Sequence, residues 1–133
     1  MPVSHKVELK KGLRDVYFDR TKSAFIDGRE GKLLYRGYNI HDLAEKSTFE
    51  ETSFLLLKGR LPTALELGDF ESQLKSHRRL PDGIADLIRS YKSAHPMDVL
   101  RTVISAMSMF DSEATDLSPE AVLQKGIKAI AVT

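Results

Sequence analysis

A mainly helical fold with a β-hairpin at its start is the prediction for this sequence. Residues 12–38 carry short runs of aromatic and β-branched residues separated by a turn that contains glycine, as a hairpin does. Residues 39–133 instead carry apolar residues at helical spacing, and signals for a helix start recur among them. We therefore expect a hairpin segment followed by about six helices, the last of them truncated.

The hairpin segment is predicted from strand-like runs on both sides of a turn. Residues 13–18 (LRDVYF) and 22–26 (KSAFI) precede the turn DGREG, and residues 32–38 (KLLYRGY) follow it. We expect Asp27–Gly28 and Gly31 to supply the positive φ angles that a tight or bulged turn needs. The segment is thus predicted as strand, turn, strand.

The short motif Tyr35, Arg36, Gly37 and Tyr38 permits two interpretations. A guanidinium between two phenols could form a pocket for an anion or a nucleotide. Alternatively, Gly37 makes a turn, the tyrosines pack, and Arg36 forms an ion pair. We favour the second interpretation, because turns that contain glycine commonly follow strands.

Six helices are predicted over residues 39–47, 48–58, 64–79, 80–92, 95–110 and 118–133. Capping boxes are expected at Ser47–Glu50 and at Thr63–Glu66, and Gly59 is expected to end the second helix in the left-handed conformation. Ser118 is expected to cap the sixth helix. Prolines are expected in the first turn of three helices, at Pro81, Pro96 and Pro119.

Apolar spacing predicts the buried face of each later helix. The third helix should share one face among Leu65, Phe70 and Leu74, and the fourth among Ile84, Leu87, Ile88 and Tyr91. The fifth carries a stripe of Met97, Leu100, Ile104 and Met107, flanked by Val99, Val103 and Ala106. Because that surface is wide, we expect the fifth helix to be covered on two sides. The sixth is apolar almost all round and lacks a C-terminal capping signal, so we expect it to be cut mid-element.

Charge and composition argue against several kinds of partner. The 20 Lys and Arg residues against 19 Asp and Glu residues give a net charge of +1, which leaves no basic surplus for phosphates or anionic lipid. We expect no nucleic-acid partner and no membrane partner. The sequence contains no cysteine, which fits a cytoplasmic protein and excludes cysteine nucleophiles and cysteine-bound metal.

The pattern alone assigns no catalytic residue, no cofactor site and no metal site. The four histidines, His5, His41, His77 and His95, never lie three or four positions apart, so no helix carries a two-histidine metal face. His95 precedes Pro96 and either caps a helix or binds a ligand, and we favour the cap. The basic cluster His77, Arg78 and Arg79 is interpreted as solvated surface near a helix end.

Read in order, three stretches resemble the citrate synthase family, which includes the 2-methylcitrate synthases. They are IDGREGKLLYRGYNIHDLA (26–44), FEETSFLLLKGRLPT (49–63) and HPMDVLR (95–101). The resemblance places residues 1–133 in the N-terminal part of the family's large helical domain, with 12–38 as its hairpin segment and 39–133 as its helical part. Its structural motif residues here are Tyr35, Arg36, Gly37, Tyr38, His95, Pro96 and Met97.

The resemblance implies a reaction for the parent protein. Family enzymes condense an acyl-CoA, usually acetyl-CoA, with oxaloacetate, using two histidines and an aspartate in later segments that this sequence does not contain. Acyl-CoA is therefore a substrate of the parent enzyme, no cofactor is expected on this chain, and the isolated chain is expected to be inactive. The choice between acetyl-CoA and propionyl-CoA stays open.

The resemblance also implies partners. The segments Pro96–Phe110 and Pro119–Thr133 correspond to helices at the family's homodimer interface, so we expect self-association there, and contacts with the remainder of a synthase chain.

Two other functions of the chain stay open. One is a natural, non-catalytic dimerisation or regulatory module, which could be one part of a split synthase. The other is a self-sufficient enzyme centred on His95, Arg36 and Asp98, for which no complete set of catalytic roles can be assembled.

Overall fold

A small antiparallel sheet precedes six helices in the computed structural model, which describes residues 11–13, 16 and 19–133. The strands are β1 (Ala24–Asp27), β2 (Lys32–Tyr35) and β3 (Tyr38–Asn39). The helices are α1 (Ile40–Lys46), α2 (Phe49–Lys58), α3 (Ala64–His77), α4 (Asp82–Ser90), α5 (Pro96–Met107) and α6 (Pro119–Val132). Short 3₁₀ turns occupy Lys11–Leu13 and Ser108–Phe110. The mainly helical fold with an N-terminal hairpin is confirmed.

The sheet contains one strand more than a hairpin. β1 pairs with β2, so that Phe25 lies opposite Leu34, and β2 pairs with β3, so that Tyr35 lies opposite Tyr38. The strand order is β1-β2-β3. The strand predicted at residues 13–18 lies outside the described residues, apart from Leu13 in a 3₁₀ turn and Val16, which is not in a strand.

The turn between β1 and β2 is closed by the side chain of Asp27, whereas we expected positive φ angles at Asp27–Gly28 to form it. Asp27 Oδ1 accepts hydrogen bonds from the main-chain N–H groups of Arg29, at 3.0 Å, and Glu30, at 3.2 Å. Gly31 has the predicted positive φ, 62°, but Asp27 and Gly28 do not. The expectation for Asp27–Gly28 was wrong because the aspartate carboxylate itself closes the turn.

The helix starts largely follow their capping signals. Thr63 and Glu66 form the predicted capping box, and Gly59 ends α2 with a φ of 83°. The first box is displaced by one residue, since Thr48 is the N-cap and Glu51 returns the hydrogen bond. The predicted pairing of Ser47 with Glu50 was therefore wrong.

The proline-led helices begin close to their predicted positions. Pro96 and Pro119 are the first residues of α5 and α6, and the Ser118 side chain accepts a hydrogen bond from the Ala121 N–H. Pro81 instead precedes the first residue of α4. The sixth helix extends to Val132.

Two hydrophobic clusters hold the helices together. In the first, α2, α3 and α6 meet through Phe54, Phe70, Leu74 and Ile127. The rings of Phe54 and Phe70 pack edge to face with centroids 5.6 Å apart. In the second, Ile84 of α4 packs against Val103 and Ala106 of α5. No helix in the described part of the chain is long and apolar enough to span a membrane.

The predicted faces were correct in part. Phe70, Leu74 and Ile84 are buried, but Leu65 is 77% exposed and Tyr91 is 54% exposed. On α5 the buried residues are Val103 and Ala106, from the flanking row, whereas Met97 on the predicted stripe is exposed. Spacing identified the apolar surface of α5 correctly, but the contact with α4 selects its flanking row.

Candidate functional site

Arg36 and Gly37 occupy the two central positions of the turn between β2 and β3. Their φ angles are 49° and 92°, and positive φ at both positions is the pattern of a type I′ hairpin turn. The predicted turn at Gly37 is thus present, and Tyr35 and Tyr38 pair directly across it.

The Arg36 side chain reaches from this turn to the end of α2. Its Nη2 donates a hydrogen bond to the main-chain oxygen of Leu56 at 3.1 Å. Leu56 lies in the last turn of α2, where carbonyl groups lack partners within the helix and the helix dipole favours a cation. No carboxylate of the described residues pairs with Arg36, so the carbonyl stands where an ion pair was expected.

The Arg36 guanidinium is closely surrounded. Its Nε is buried and has no hydrogen-bond partner among the described residues, and its Cζ lies 3.8 Å from the position that a Cβ on Gly59 would take. A guanidinium packed against a helix end is a connector between sheet and helix. This geometry favours the structural interpretation of the motif over an anion pocket.

His95 is the N-cap of α5. Its Nδ1 accepts a hydrogen bond from the Met97 N–H at 3.2 Å, which satisfies one of the amide groups left free at the helix start. Pro96 follows as the first helical residue, and Asp98 in the first turn pairs with Arg101 at 2.9 Å. The capping role that we favoured for His95 is present, and Asp98 is placed where a helix dipole favours a negative charge.

The structure does not join the three residues of the self-sufficient enzyme hypothesis. Arg36 donates to Leu56 in α2, whereas His95 and Asp98 make their side-chain hydrogen bonds within α5 or its cap. No hydrogen bond in the described structure connects Arg36 with either of the other two. A converging acid, base and cation are therefore not found at these positions.

Among the described residues, the carboxyl group with the largest pKa shift belongs to a helix cap. Arg60 donates to both oxygens of Glu66, one bond measuring 2.9 Å, and the Thr63 main-chain N–H and hydroxyl donate to Oε2 at 2.9 and 3.0 Å. These donors, Arg60 foremost, lower the pKa of Glu66 to about 2. Arg60 also lies over the Phe54 ring, 5.7 Å from its centroid.

Other pKa shifts have similar causes. Lys46 lowers the pKa of Asp42 by hydrogen bonding, and the Ser118 N–H lowers the pKa of Asp116. Each group stands at an exposed ion pair or cap, and general acid–base catalysis instead needs groups whose pKa values are moved towards neutrality. Within the ranges that the structure describes, no three His, Asp or Glu side chains cluster to hold a metal ion.

An open groove of about 380 Å³ lies between the C-terminal ends of α3 and α5 and one side of α6. Its floor is apolar and includes Ile104, Met107, Phe110, Ala129 and Val132. Four basic side chains also line it, namely His77 at the end of α3, Arg79 just after that helix, and Lys125 and Lys128 on α6. The first two were predicted as part of a surface cluster with Arg78, but their approach to α6 was not predicted, because no local sequence signal indicates that α3 packs on α6.

Two of the four basic side chains of the groove, those of Lys125 and Lys128, have structural partners. Lys125 donates to the main-chain oxygens of Ala114, at 3.0 Å, and Asp116, and Lys128 lies 3.8 Å from the Asp111 carboxylate. His77 is the last residue of α3, where the negative end of the helix dipole favours a cation. The groove is thus a seam between helices, with charges that the adjoining chain largely satisfies.

Comparison with known proteins identifies the family. The family model "Citrate synthase, C-terminal domain" matches residues 12–133. The chain is 46% identical to citrate synthase of Deinococcus radiodurans over 114 residues, which is 85% of this chain and 30% of that protein. It is 41% identical to 2-methylcitrate synthase 2 of Corynebacterium glutamicum over 120 residues, which is 90% of this chain and 31% of that protein.

A solved structure agrees with these matches. The crystal structure of citrate synthase from Pyrobaculum aerophilum superposes with a TM-score of 0.84 at 32% identity, covering 97% of this chain and 36% of that one. The chain therefore spans about 30% of the length of the curated relatives named above. Since the family model matches residues 12–133, the chain belongs to the citrate synthase family.

Proposed function

We propose that the chain is the N-terminal part of the large helical domain of a citrate synthase-type acyltransferase. The parent enzyme would take a proton from the α-carbon of acetyl-CoA or propionyl-CoA, join that carbon to the ketone carbon of oxaloacetate, and protonate the ketone oxygen. Water would then hydrolyse the thioester and release free CoA. The family match over residues 12–133 is the observation that carries this proposal. Acyl-CoA enters as a substrate, and the proposal includes no cofactor.

We infer that this chain supplies scaffold and that the catalytic groups belong to the rest of the parent protein. The reaction needs a base at the α-carbon, donors for the enol and ketone oxygens, and cations for the carboxylates. The three residues of the self-sufficient enzyme hypothesis are otherwise engaged: Arg36 with Leu56, His95 with the start of α5, and Asp98 with Arg101. The isolated chain is accordingly proposed to be inactive.

The proposed partners are a second copy of the enzyme and the remainder of its own chain. Self-association is assigned to Pro96–Phe110 and Pro119–Thr133, where Met109, Phe110 and Val122 leave apolar surface exposed. Nucleic acid and membranes are not among the proposed partners. A cytoplasmic location is part of the proposal and is supported by the cysteine-free sequence.

The direct test is a turnover assay on the full-length gene product that contains this chain. Release of free CoA from acetyl-CoA and from propionyl-CoA is measured with oxaloacetate, beside the same assay on residues 1–133. We expect turnover by the full-length protein with at least one acyl-CoA, and none by residues 1–133. Turnover by the short chain would overturn the assignment of catalysis to the rest of the protein.

The intact mass of the native protein separates this proposal from a natural short module. A protein about three times the 14.9 kDa of this chain is expected, because the chain spans about 30% of its relatives. A native protein near 14.9 kDa would instead support the dimerisation or regulatory module. In that event the parent activity would have to be sought in a partner chain.

Variants of His95 test whether its role is structural. His95→Asn keeps a capping acceptor, whereas His95→Ala removes it and should cost about 1 kcal/mol of stability. In the full-length enzyme we expect both variants to retain kcat, with a lower Tm for His95→Ala only. A large loss of kcat in His95→Asn, with an unchanged Tm, would contradict the capping role.

A further inference from the structure

We draw no further inference here: the strongest candidate, the groove between the C-terminal ends of α3 and α5 and one side of α6, has basic side chains that helix ends, carbonyl groups and Asp111 account for, and nothing in the structure shows what covers its apolar floor.

Discussion

Arg36 combines a local backbone cost with a distant side-chain contact. Its φ of 49° is left-handed, a conformation that costs an ordinary L-residue roughly 1–2 kcal/mol. Its guanidinium bonds the Leu56 carbonyl, and a hydrogen bond made by a charged group contributes about 1.5–3 kcal/mol. The hydrogen bond is strong enough to offset the cost of the left-handed backbone. The contact with Leu56 therefore explains why an arginine occupies this turn.

Replacing Arg36 by methionine should therefore weaken the attachment of the sheet to α2. Arg36→Met keeps the length of the side chain but removes the donor, and we expect the free energy of unfolding to fall by about 1.5–3 kcal/mol. The matched control is Arg29→Met in the exposed β1–β2 turn, which should change it by less than about 0.5 kcal/mol. Urea denaturation of the purified protein measures both, and equal losses would contradict the Leu56 contact.

Glu66 predicts how stability depends on acidity. Its pKa in the folded protein is about 2, below the ordinary 4.5, because Arg60 and Thr63 stabilise the ionised carboxylate. A lowered folded-state pKa gives stability that is fully present above the unfolded pKa. This contribution is lost as the pH falls from about 4.5 towards about 2.

Glu66→Gln isolates that contribution, because glutamine can still complete a capping box. The variant should have a lower Tm than the parent protein at pH 6, and the difference should shrink as the pH approaches 2. Glu51→Gln is the control, since Glu51 closes the other capping box with no arginine partner among the described residues. A Tm difference for Glu66→Gln that stays constant between pH 6 and pH 2 would refute the role of the ionised carboxylate.

At the scale of the element, two helical glycines differ in what surrounds them. Gly68 is exposed within α3, and a Cβ there meets nothing within 4 Å. Gly83 near the start of α4 is also exposed, but a Cβ there would lie 3.0 Å from Cζ of Phe110. Alanine is favoured over glycine inside a helix by about 0.5–1 kcal/mol, so the surroundings decide the outcome.

We expect Gly68→Ala to raise the free energy of unfolding by about 0.5–1 kcal/mol. Gly83→Ala should gain less or lose stability, because the Phe110 ring must move to admit the methyl group. The double variant Gly83→Ala/Phe110→Ala lacks the ring. Its free energy of unfolding should exceed that of Phe110→Ala by the usual preference of a helix for alanine over glycine. Thermal unfolding measures the series, and an equal gain in Gly68→Ala and Gly83→Ala would contradict the Phe110 contact.

What the sequence could predict at this scale depended on how local the cause is. The Thr63–Glu66 box, the Gly59 end of α2 and the Ser118 cap were predicted because each is determined within one helical turn. β3 was missed because Tyr38–Asn39 is too short for a periodic signal and forms by pairing with β2. The exposure of Leu65 was missed because helical spacing does not specify which neighbouring helix covers a face.

The contact of Arg36 with Leu56 shows the same limit at the candidate site. The motif was visible in the sequence, and its turn followed from Gly37, but a partner twenty positions away depends on how the sheet meets α2. His95 was predictable because its partner, Met97, lies two residues along the chain. The family resemblance could assign a role only to residues of this chain that match one of the family's motifs.

For the whole molecule, the two clusters leave several large apolar side chains exposed, and some of them lie on the segments assigned to self-association. Among the described residues, the α2–α3–α6 cluster contains four buried hydrophobic side chains and the α4–α5 cluster contains three. Leu43 and Leu55 are also buried but belong to neither cluster. Met97, Met109, Phe110 and Val122 remain outside on α5, the following 3₁₀ turn and α6. Burying such surface is favourable at about 25 cal/mol per Å², which supports the self-association that we propose for these segments.

Met109 offers a matched test of that surface. It is 78% exposed within Pro96–Phe110, and Leu65 is 77% exposed on α3, outside the proposed interface. Burial of one such side chain is worth about 1.5–3 kcal/mol and a homodimer buries one from each copy, so Met109→Lys should weaken dimerisation by roughly a hundredfold or more. Leu65→Lys introduces the same charge at a similarly exposed position and should leave the dissociation constant of the dimer unchanged. Sedimentation of the full-length protein over a concentration series measures both dissociation constants. Equal weakening would show a general effect of charge, and weakening by Leu65→Lys alone would move the interface to α3.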